Sequence, residues 1–173
     1  MAGRGRMLRK FVCLVLVCAA PLLWADEGGE PSKLWVENEY VLPAPPLPER
    51  LHGFYVGAAT DNRFFVDVAS LSVGSDGVVR YTLVVLSPGG GRNVTFEGIR
   101  CETKERRIYA TGHLDGEWSR SRSVQWVRIQ EVYGNRHHAA LYLDYFCPAG
   151  IVVGSVDEAR QALLAGGHSM VRR

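Results

Sequence analysis

Apolar and polar positions alternate through residues 64–112, and this pattern predicts consecutive β-strands separated by short turns. In the clearest strand every second residue from Val79 to Val85 is apolar, so these side chains are expected to face a core. Segment 87–91 is rich in Ser, Pro and Gly, which favour a turn. Together with a strand in residues 51–58, the pattern predicts a sheet of about five strands.

The strand after this turn changes its apolar phase part of the way along. Val94 and Phe96 fall on one parity, whereas Ile99 and Cys101 fall on the other. Gly98 lies between the two pairs, and a glycine inside a strand often marks a bulge. We therefore predict a β-bulge at Gly98.

The C-terminal third of the chain has helical periodicity. An apolar stripe with helical spacing is formed by His138, Leu141, Tyr142, Tyr145 and Phe146. Ser155 and Glu158 have the spacing of a capping box and predict the start of a second helix. Strands followed by helices predict an α+β fold, with an antiparallel sheet of about five strands covered on one side by the two C-terminal helices.

The first 25 residues have the composition of a secretory signal peptide. Four basic residues precede an apolar run at 11–24, which is too short to span a bilayer comfortably. We expect cleavage near Ala25, and a retained N-terminal anchor is the alternative. Neither Cys13 nor Cys18 follows the small residue that lipidation requires, so lipidation is not expected. The protein is therefore predicted to be exported to the periplasm or cell envelope.

The chain after the signal is predicted to contain a lead-in and one domain. Residues 26–48 are rich in proline, which holds the backbone extended. We favour a spacer laid along the domain surface over a peptide ligand for a proline-binding partner. Residues 49–173 are predicted to form a single α+β domain, a length ordinary for one hydrophobic core.

The charge of the chain depends on the signal. The sequence contains 20 Lys and Arg against 18 Asp and Glu, and four of the basic residues but none of the acidic ones precede Asp26. The remainder therefore has 16 basic against 18 acidic residues, which gives no support for nucleic-acid binding. Basic residues between Arg100 and Arg128 would suit an anionic partner if they shared a face. Nearby glutamates favour a solvated, balanced surface instead.

The chain contains no recognisable catalytic or cofactor-binding motif. Asp67 lies between two valines of a predicted strand, and the favoured interpretation is a carboxylate bonded to backbone or to an arginine. The alternative is an envelope-polymer hydrolase that pairs Asp67 with a second carboxylate such as Glu97, which requires both groups in one cleft. His137 and His138 do not predict a metal site, because adjacent side chains point apart. No cofactor is expected.

Six short segments carry a resemblance to a known family. They are Phe65-Val66-Asp67, Ser70-Leu71-Ser72-Val73-Gly74, Asp76-Gly77-Val78-Val79-Arg80-Tyr81, Phe96-Glu97-Gly98-Ile99-Arg100-Cys101, Asp115-Gly116-Glu117-Trp118 and Asp144-Tyr145-Phe146-Cys147-Pro148. Over roughly residues 35–166 the chain resembles the cryptic-neisserial-protein-like family, uncharacterised envelope proteins of proteobacteria. More weakly, residues 65–107 are similar to the surface-adhesin E domain, a small antiparallel sheet that binds host proteins. The first resemblance implies an envelope protein without an established activity.

Two cysteines remain after the expected cleavage, Cys101 and Cys147, and both lie in segments that match the family. An oxidising compartment favours a disulfide between them, which would tie the C-terminal helices to the sheet. A reactive thiol is the less favoured alternative.

These observations predict an exported binding or interaction module without catalysis. The expected partner is an envelope protein, a glycan or a lipid, and the sequence does not distinguish between them. Membrane attachment is not predicted, and the oligomeric state is left open.

Overall fold

The computed structural model of the protein describes residues 34–132 and 136–171. Residues from Trp35 onward form one compact unit, which contains all of the described strands and helices. The predicted signal peptide and the first part of the lead-in lie outside the described residues.

Seven strands form one antiparallel sheet. They are β1 (Leu51–Phe54), β2 (Arg63–Val73), β3 (Val78–Leu86), β4 (Arg92–Arg100), β5 (Glu105–Gly112), β6 (Trp118–Arg120) and β7 (Val127–Arg128). Strands β1 to β6 follow one another in sheet order, and β7 also pairs with β5. The predicted α+β class is confirmed, with two strands more than the pattern indicated. Because β6 and β7 have only three and two residues, they are too short to show a period.

Two helical segments cover one face of the sheet. Helix α1 (Arg136–Ala140) continues directly into a π-helical stretch, Leu141–Phe146, and α2 spans Val156–Leu164. All five residues of the predicted stripe are buried. As predicted, α2 is capped by Ser155, whose side chain accepts a hydrogen bond from the Glu158 amide at 3.1 Å. The helices pack against the alternate residues of β3 that the sequence assigned to the core.

The disulfide between Cys101 and Cys147 is present, with 5.5 Å between the Cα atoms. Cys101 follows β4, and Cys147 follows the π-helical stretch. Both residues are buried in the cluster that joins the helices to the sheet. The bond therefore ties the C-terminal part of the chain to the sheet, as predicted.

The other face of the sheet is covered by residues 35–46, here called the lead-in segment. The Tyr40 ring lies 4.2 Å from the Tyr109 ring, between centroids. The Trp118 indole donates to the Pro43 carbonyl oxygen at 2.8 Å, and the Tyr109 hydroxyl donates to Glu37 at 2.7 Å. These contacts agree with the favoured interpretation of the lead-in as a spacer laid along the domain surface, although the sequence did not indicate which face of the sheet it covers.

The bulge lies in β5 and not at Gly98. The register between β3 and β4 is continuous along both strands. Between β4 and β5 the register shifts at Phe96 and Glu97, and Tyr109 is the extra residue. The predicted bulge at Gly98 was wrong. The apolar residues of β4 change parity at Gly98 because both faces of the strand are buried. Phe96 packs under the lead-in segment, whereas the residues after Gly98 pack under the helices.

Gly98 is instead required by a close approach of two side chains. A Cβ atom at this position would lie 2.5 Å from the Tyr109 hydroxyl oxygen and 2.9 Å from Cγ1 of Val78. These distances are too short for real contacts, so any side chain at residue 98 would displace Tyr109 from the sheet.

We expect Gly98→Ala to lower the free energy of unfolding by about 1–3 kcal/mol, because overpacking forces the neighbouring side chains to move. The matched control is Gly89→Ala, at an exposed turn where a Cβ atom would meet nothing within 4 Å. It should change the stability by less than about 0.5 kcal/mol. Urea unfolding of both variants gives the comparison, and equal stabilities would contradict the packing of Tyr109 on Gly98.

Candidate ligand-binding cavity

A cavity of about 350 Å³ lies between the helix-covered face of the sheet, the loop after β1 and the start of α1. Its apolar wall is formed by Val56, Phe64, Leu83, Val85 and Ile108. Its polar wall is formed by Thr60, Asn62, Asn93, Thr95, Glu97, Arg106, Arg136, His137 and His138. Cavities that hold small ligands have volumes of roughly 300–1,000 Å³ and mix apolar walls with a few polar groups, so this one is of ligand size.

A buried acid–base pair forms the inner polar wall. Nε2 of His138 lies 2.7 Å from Oε2 of Glu97, and the side chains are only 5% and 2% exposed. The Tyr81 hydroxyl donates to the same carboxylate oxygen at 3.1 Å, and the Thr95 hydroxyl donates to Oε1 at 2.6 Å. Strand register explains part of this arrangement, since Glu97 faces Tyr81 directly across β3 and β4. Both carboxylate oxygens therefore have partners within the protein.

The pair holds Glu97 as a carboxylate. Burial by itself would raise the pKa of Glu97, but the charge of His138 and the hydrogen bonds from His138 and Thr95 outweigh it and lower the pKa to about 2. Burial also raises the pKa of Tyr81 well above its ordinary value, and the neighbouring carboxylate adds to this effect. The tyrosine is therefore a hydrogen-bond donor to a fixed negative charge.

His137 lies beside the pair in a more apolar setting. Its ring stacks on Phe64, with 5.1 Å between centroids and an angle of 16° between the planes. Burial lowers the pKa of His137 to about 4, and the positive charges of His138 and Arg106 act in the same direction, while Glu97 opposes them. The imidazole of His137 is therefore neutral at pH 7.

The stability of the protein should fall on mild acidification because of His137. The unfolded chain takes up the proton near pH 6.5 and the folded protein only near pH 4, so protonation favours unfolding across this window. We expect a loss of about 2 kcal/mol between about pH 7 and pH 5, and His137→Gln should remove most of it. The control variant His113→Gln replaces an exposed histidine and should lose as much stability between these two pH values as the natural protein does. Urea unfolding at the two pH values tests this, and the same slope in both variants would contradict the burial of His137.

His138 has a fixed place at the inner wall of the cavity. It uses Nε2 to bind Glu97, and its Nδ1 is buried without a hydrogen-bond partner among the described residues. The pair therefore fixes the shape of this part of the cavity wall.

Asp67 and Glu97 lie on opposite faces of the sheet. Asp67 pairs with Thr82 of β3, whereas Glu97 pairs with Tyr81, the next residue along the strand. Asp67 accepts a hydrogen bond from the Ala69 amide at 3.0 Å and lies 3.5 Å from Arg50. The sheet therefore separates the two carboxylates, and the condition for a hydrolase that pairs them is not met. Asp67 is bonded to backbone and to an arginine, which was the favoured interpretation.

The basic residues between Arg100 and Arg128 do not share one face. Arg106 lines the cavity on the helix side. Arg107, its neighbour in β5, binds Glu37 of the lead-in segment on the other side at 2.5 Å. Lys104 pairs with Glu131 at 2.9 Å. The basic residues of this segment are therefore divided between the two faces of the sheet.

No cluster of three or more potential metal ligands is found within residues 34–132 and 136–171. His137 and His138 do come together, with 3.9 Å between ring centroids. The sequence argument that adjacent side chains diverge does not hold here, because the rings tilt back toward each other. The two histidines nonetheless have different partners, Phe64 and Glu97.

The sequence did not identify the cavity. Its central pair joins residues 41 positions apart, and local periodicity carries no information about such contacts. Two signals were present in the chain. A glutamate falls within an apolar strand, and a histidine occupies the first position of the apolar stripe. A buried charge needs a buried partner, so these two exceptions to the apolar pattern were candidates for each other.

The fold is a small α+β domain in which the Cys101–Cys147 disulfide ties the helices to the sheet, and it contains a cavity of ligand size. The chain belongs to the CNP1-like family, whose sequence model matches residues 30–164, including all seven strands and both helices. This membership agrees with the resemblance to the cryptic-neisserial-protein-like family. It does not show the similarity to the surface-adhesin E domain. No curated protein and no solved structure matches the chain.

Within the part of the chain that the structure describes, none of the helices combines the length and the apolar character needed to cross a bilayer.

Proposed function

We propose that the protein is an exported binding module of the cell envelope that holds a small ligand in the cavity beneath α1, without catalysing a reaction. The observation that carries this proposal is the polar wall. Glu97 and His138 are buried in the cavity, and both oxygens of Glu97 are engaged by protein donors. Such a wall is preorganised for recognition, because it needs no rearrangement when a ligand enters.

Export is supported by the signal-like N-terminus and is consistent with the disulfide. Disulfides persist in oxidising compartments and are rare in the cytosol. The expected source of the ligand is therefore the envelope, whether the ligand belongs to an envelope protein, a glycan or a lipid.

The proposal can be tested with a variant that fills the cavity mouth. Asn93 lines the cavity at an exposed position of β4, so Asn93→Trp should block entry with little effect on the core. Arg92→Trp is the matched control, because adjacent residues of a strand point to opposite faces. Each protein is incubated with the low-molecular-mass fraction of the cells that make it and analysed by native mass spectrometry.

We expect a bound molecule on the natural protein and on Arg92→Trp, and its loss from Asn93→Trp. Equal occupancy of the two tryptophan variants, or no bound molecule on any of the three proteins, would count against the cavity as the binding site.

A further inference from the structure

We infer that the cavity selects organic anions with an apolar body, a class that includes alkyl carboxylates and alkyl phosphates. This inference rests on the proposed function and adds the chemical class of the ligand. It follows from the charges on the cavity wall, from its apolar area and from its volume.

Two arginines at the cavity are not paired with carboxylates. Arg106 of β5 and Arg136 at the start of α1 both line it. Among the described residues, neither guanidinium forms a salt bridge within 4.0 Å, whereas Arg80 and Arg107 both do. A guanidinium presents a planar fork of donors that matches a carboxylate or a phosphate. The cavity therefore offers two cationic groups to an incoming anion.

The cavity offers no free carboxylate to a cation. Glu97 is its one acidic residue among those described, and Tyr81, Thr95 and His138 occupy its oxygens. The charge of the site therefore favours anions over cations.

The remaining wall is apolar. Phe64, Leu83, Val85 and Ile108 belong to β2, β3 and β5 and line the same cavity. An apolar cavity of about 150 Å³ is enough to hold a benzene molecule. The volume of about 350 Å³ therefore leaves room for an apolar body larger than one ring, next to a charged head. An amphiphilic anion matches both parts of the wall.

Isothermal titration calorimetry with four decyl compounds tests the inference on the folded chain. Decanoate and decyl phosphate carry the proposed heads, decanol is the neutral analogue and decylamine is the cationic one. All are used below the concentrations at which they aggregate. We expect both anions to bind, and decanol and decylamine to bind at least about tenfold more weakly, since a charged hydrogen bond contributes roughly 1.5–3 kcal/mol. The stronger of the two anions identifies the preferred head.

Variants then assign the binding to the two arginines. Arg106→Gln and Arg136→Gln should each weaken decanoate binding about tenfold. Arg106→Lys should lose less affinity for decanoate, because it keeps the positive charge. Arg128→Gln, at an exposed residue of β7 outside the cavity, should bind as the natural protein does. Circular dichroism and the urea midpoint establish that each variant is folded.

The outcomes separate this inference from the proposed function. Equal binding of decanol and decanoate, with both blocked by Asn93→Trp, would overturn the anion class and leave the cavity as the site. The inference would be overturned if Asn93→Trp still bound decanoate. It would also be overturned if Arg106→Gln and Arg136→Gln both bound decanoate as tightly as the natural protein does. The absence of binding by either anion would overturn it as well, and the native mass spectrometry experiment would still decide whether the cavity is occupied.

Discussion

Replacing Cys101 and Cys147 together by alanine should lower the free energy of unfolding by about 4 kcal/mol. The two residues are separated by 46 positions, and the chain-entropy model assigns about this much to a loop of that length. The unfolded chain gains conformational freedom when the loop is opened, while the folded protein loses only two buried sulfur atoms. Few single bonds in a domain of this size contribute as much, because total stabilities are about 5–15 kcal/mol.

Urea unfolding with and without reductant measures this contribution. Reductant should destabilise the natural protein by a similar amount and should not affect the double alanine variant. If reductant leaves the unfolding midpoint of the natural protein unchanged, the bond does not constrain the unfolded chain. Free thiols in the natural protein, isolated without reductant, would exclude the bond altogether.

Glu97→Gln should lower the free energy of unfolding by about 3 kcal/mol at pH 7. The substitution keeps the volume of the side chain and removes the buried carboxylate to which His138, Tyr81 and Thr95 are hydrogen-bonded. Removing one member of a buried hydrogen-bonded network is destabilising, because the remaining buried polar groups lose their partner. The control is Glu102→Gln in the pair with Arg100, where the glutamate side chain is 76% exposed and the expected cost is below about 1 kcal/mol.

The decrease in the free energy of unfolding at low pH, here called the acid limb, gives an independent measurement of the interaction between Glu97 and His138. The pKa of Glu97 falls from 4.5 in the unfolded chain to about 2 in the folded protein, so its contribution is fully present above pH 4.5 and is lost as the pH falls toward 2. This component should be absent from Glu97→Gln and present in Glu102→Gln. If the two variants have the same stability at pH 7 and the same acid limb, Glu97 is not a buried charge.

Elements with local signals were predicted correctly from the sequence. The alternation in β3, the stripe from His138 to Phe146 and the capping of α2 by Ser155 depend on residues close together in the chain. The disulfide was also predicted, because the expected signal leaves only one pair of cysteines. In each case a short-range pattern or a count of residues was sufficient.

Features that depend on distant contacts were predicted only coarsely or not at all. The lead-in was expected to lie along the domain surface, but its position on the sheet was not predicted. The lead-in segment has no period of its own, and its place on the sheet depends on single residues such as Glu37, which binds Arg107 and Tyr109 about 70 positions away. The change of apolar phase in β4 was attributed to a bulge because burial on the second face was not considered. The cavity likewise depends on the contact between β4 and α1. The apolar pattern within either element cannot indicate this contact.

The most direct test of the central claim is a titration followed by two-dimensional amide NMR. The low-molecular-mass fraction used for mass spectrometry is added to the natural protein, and the amide shifts of the sheet and of α1 are followed. We expect saturable changes at Thr60, Thr95, Ile108 and His137, which line the cavity. Changes confined to the opposite face, at Tyr40 and Trp118 of the cluster under the lead-in segment, would contradict the account.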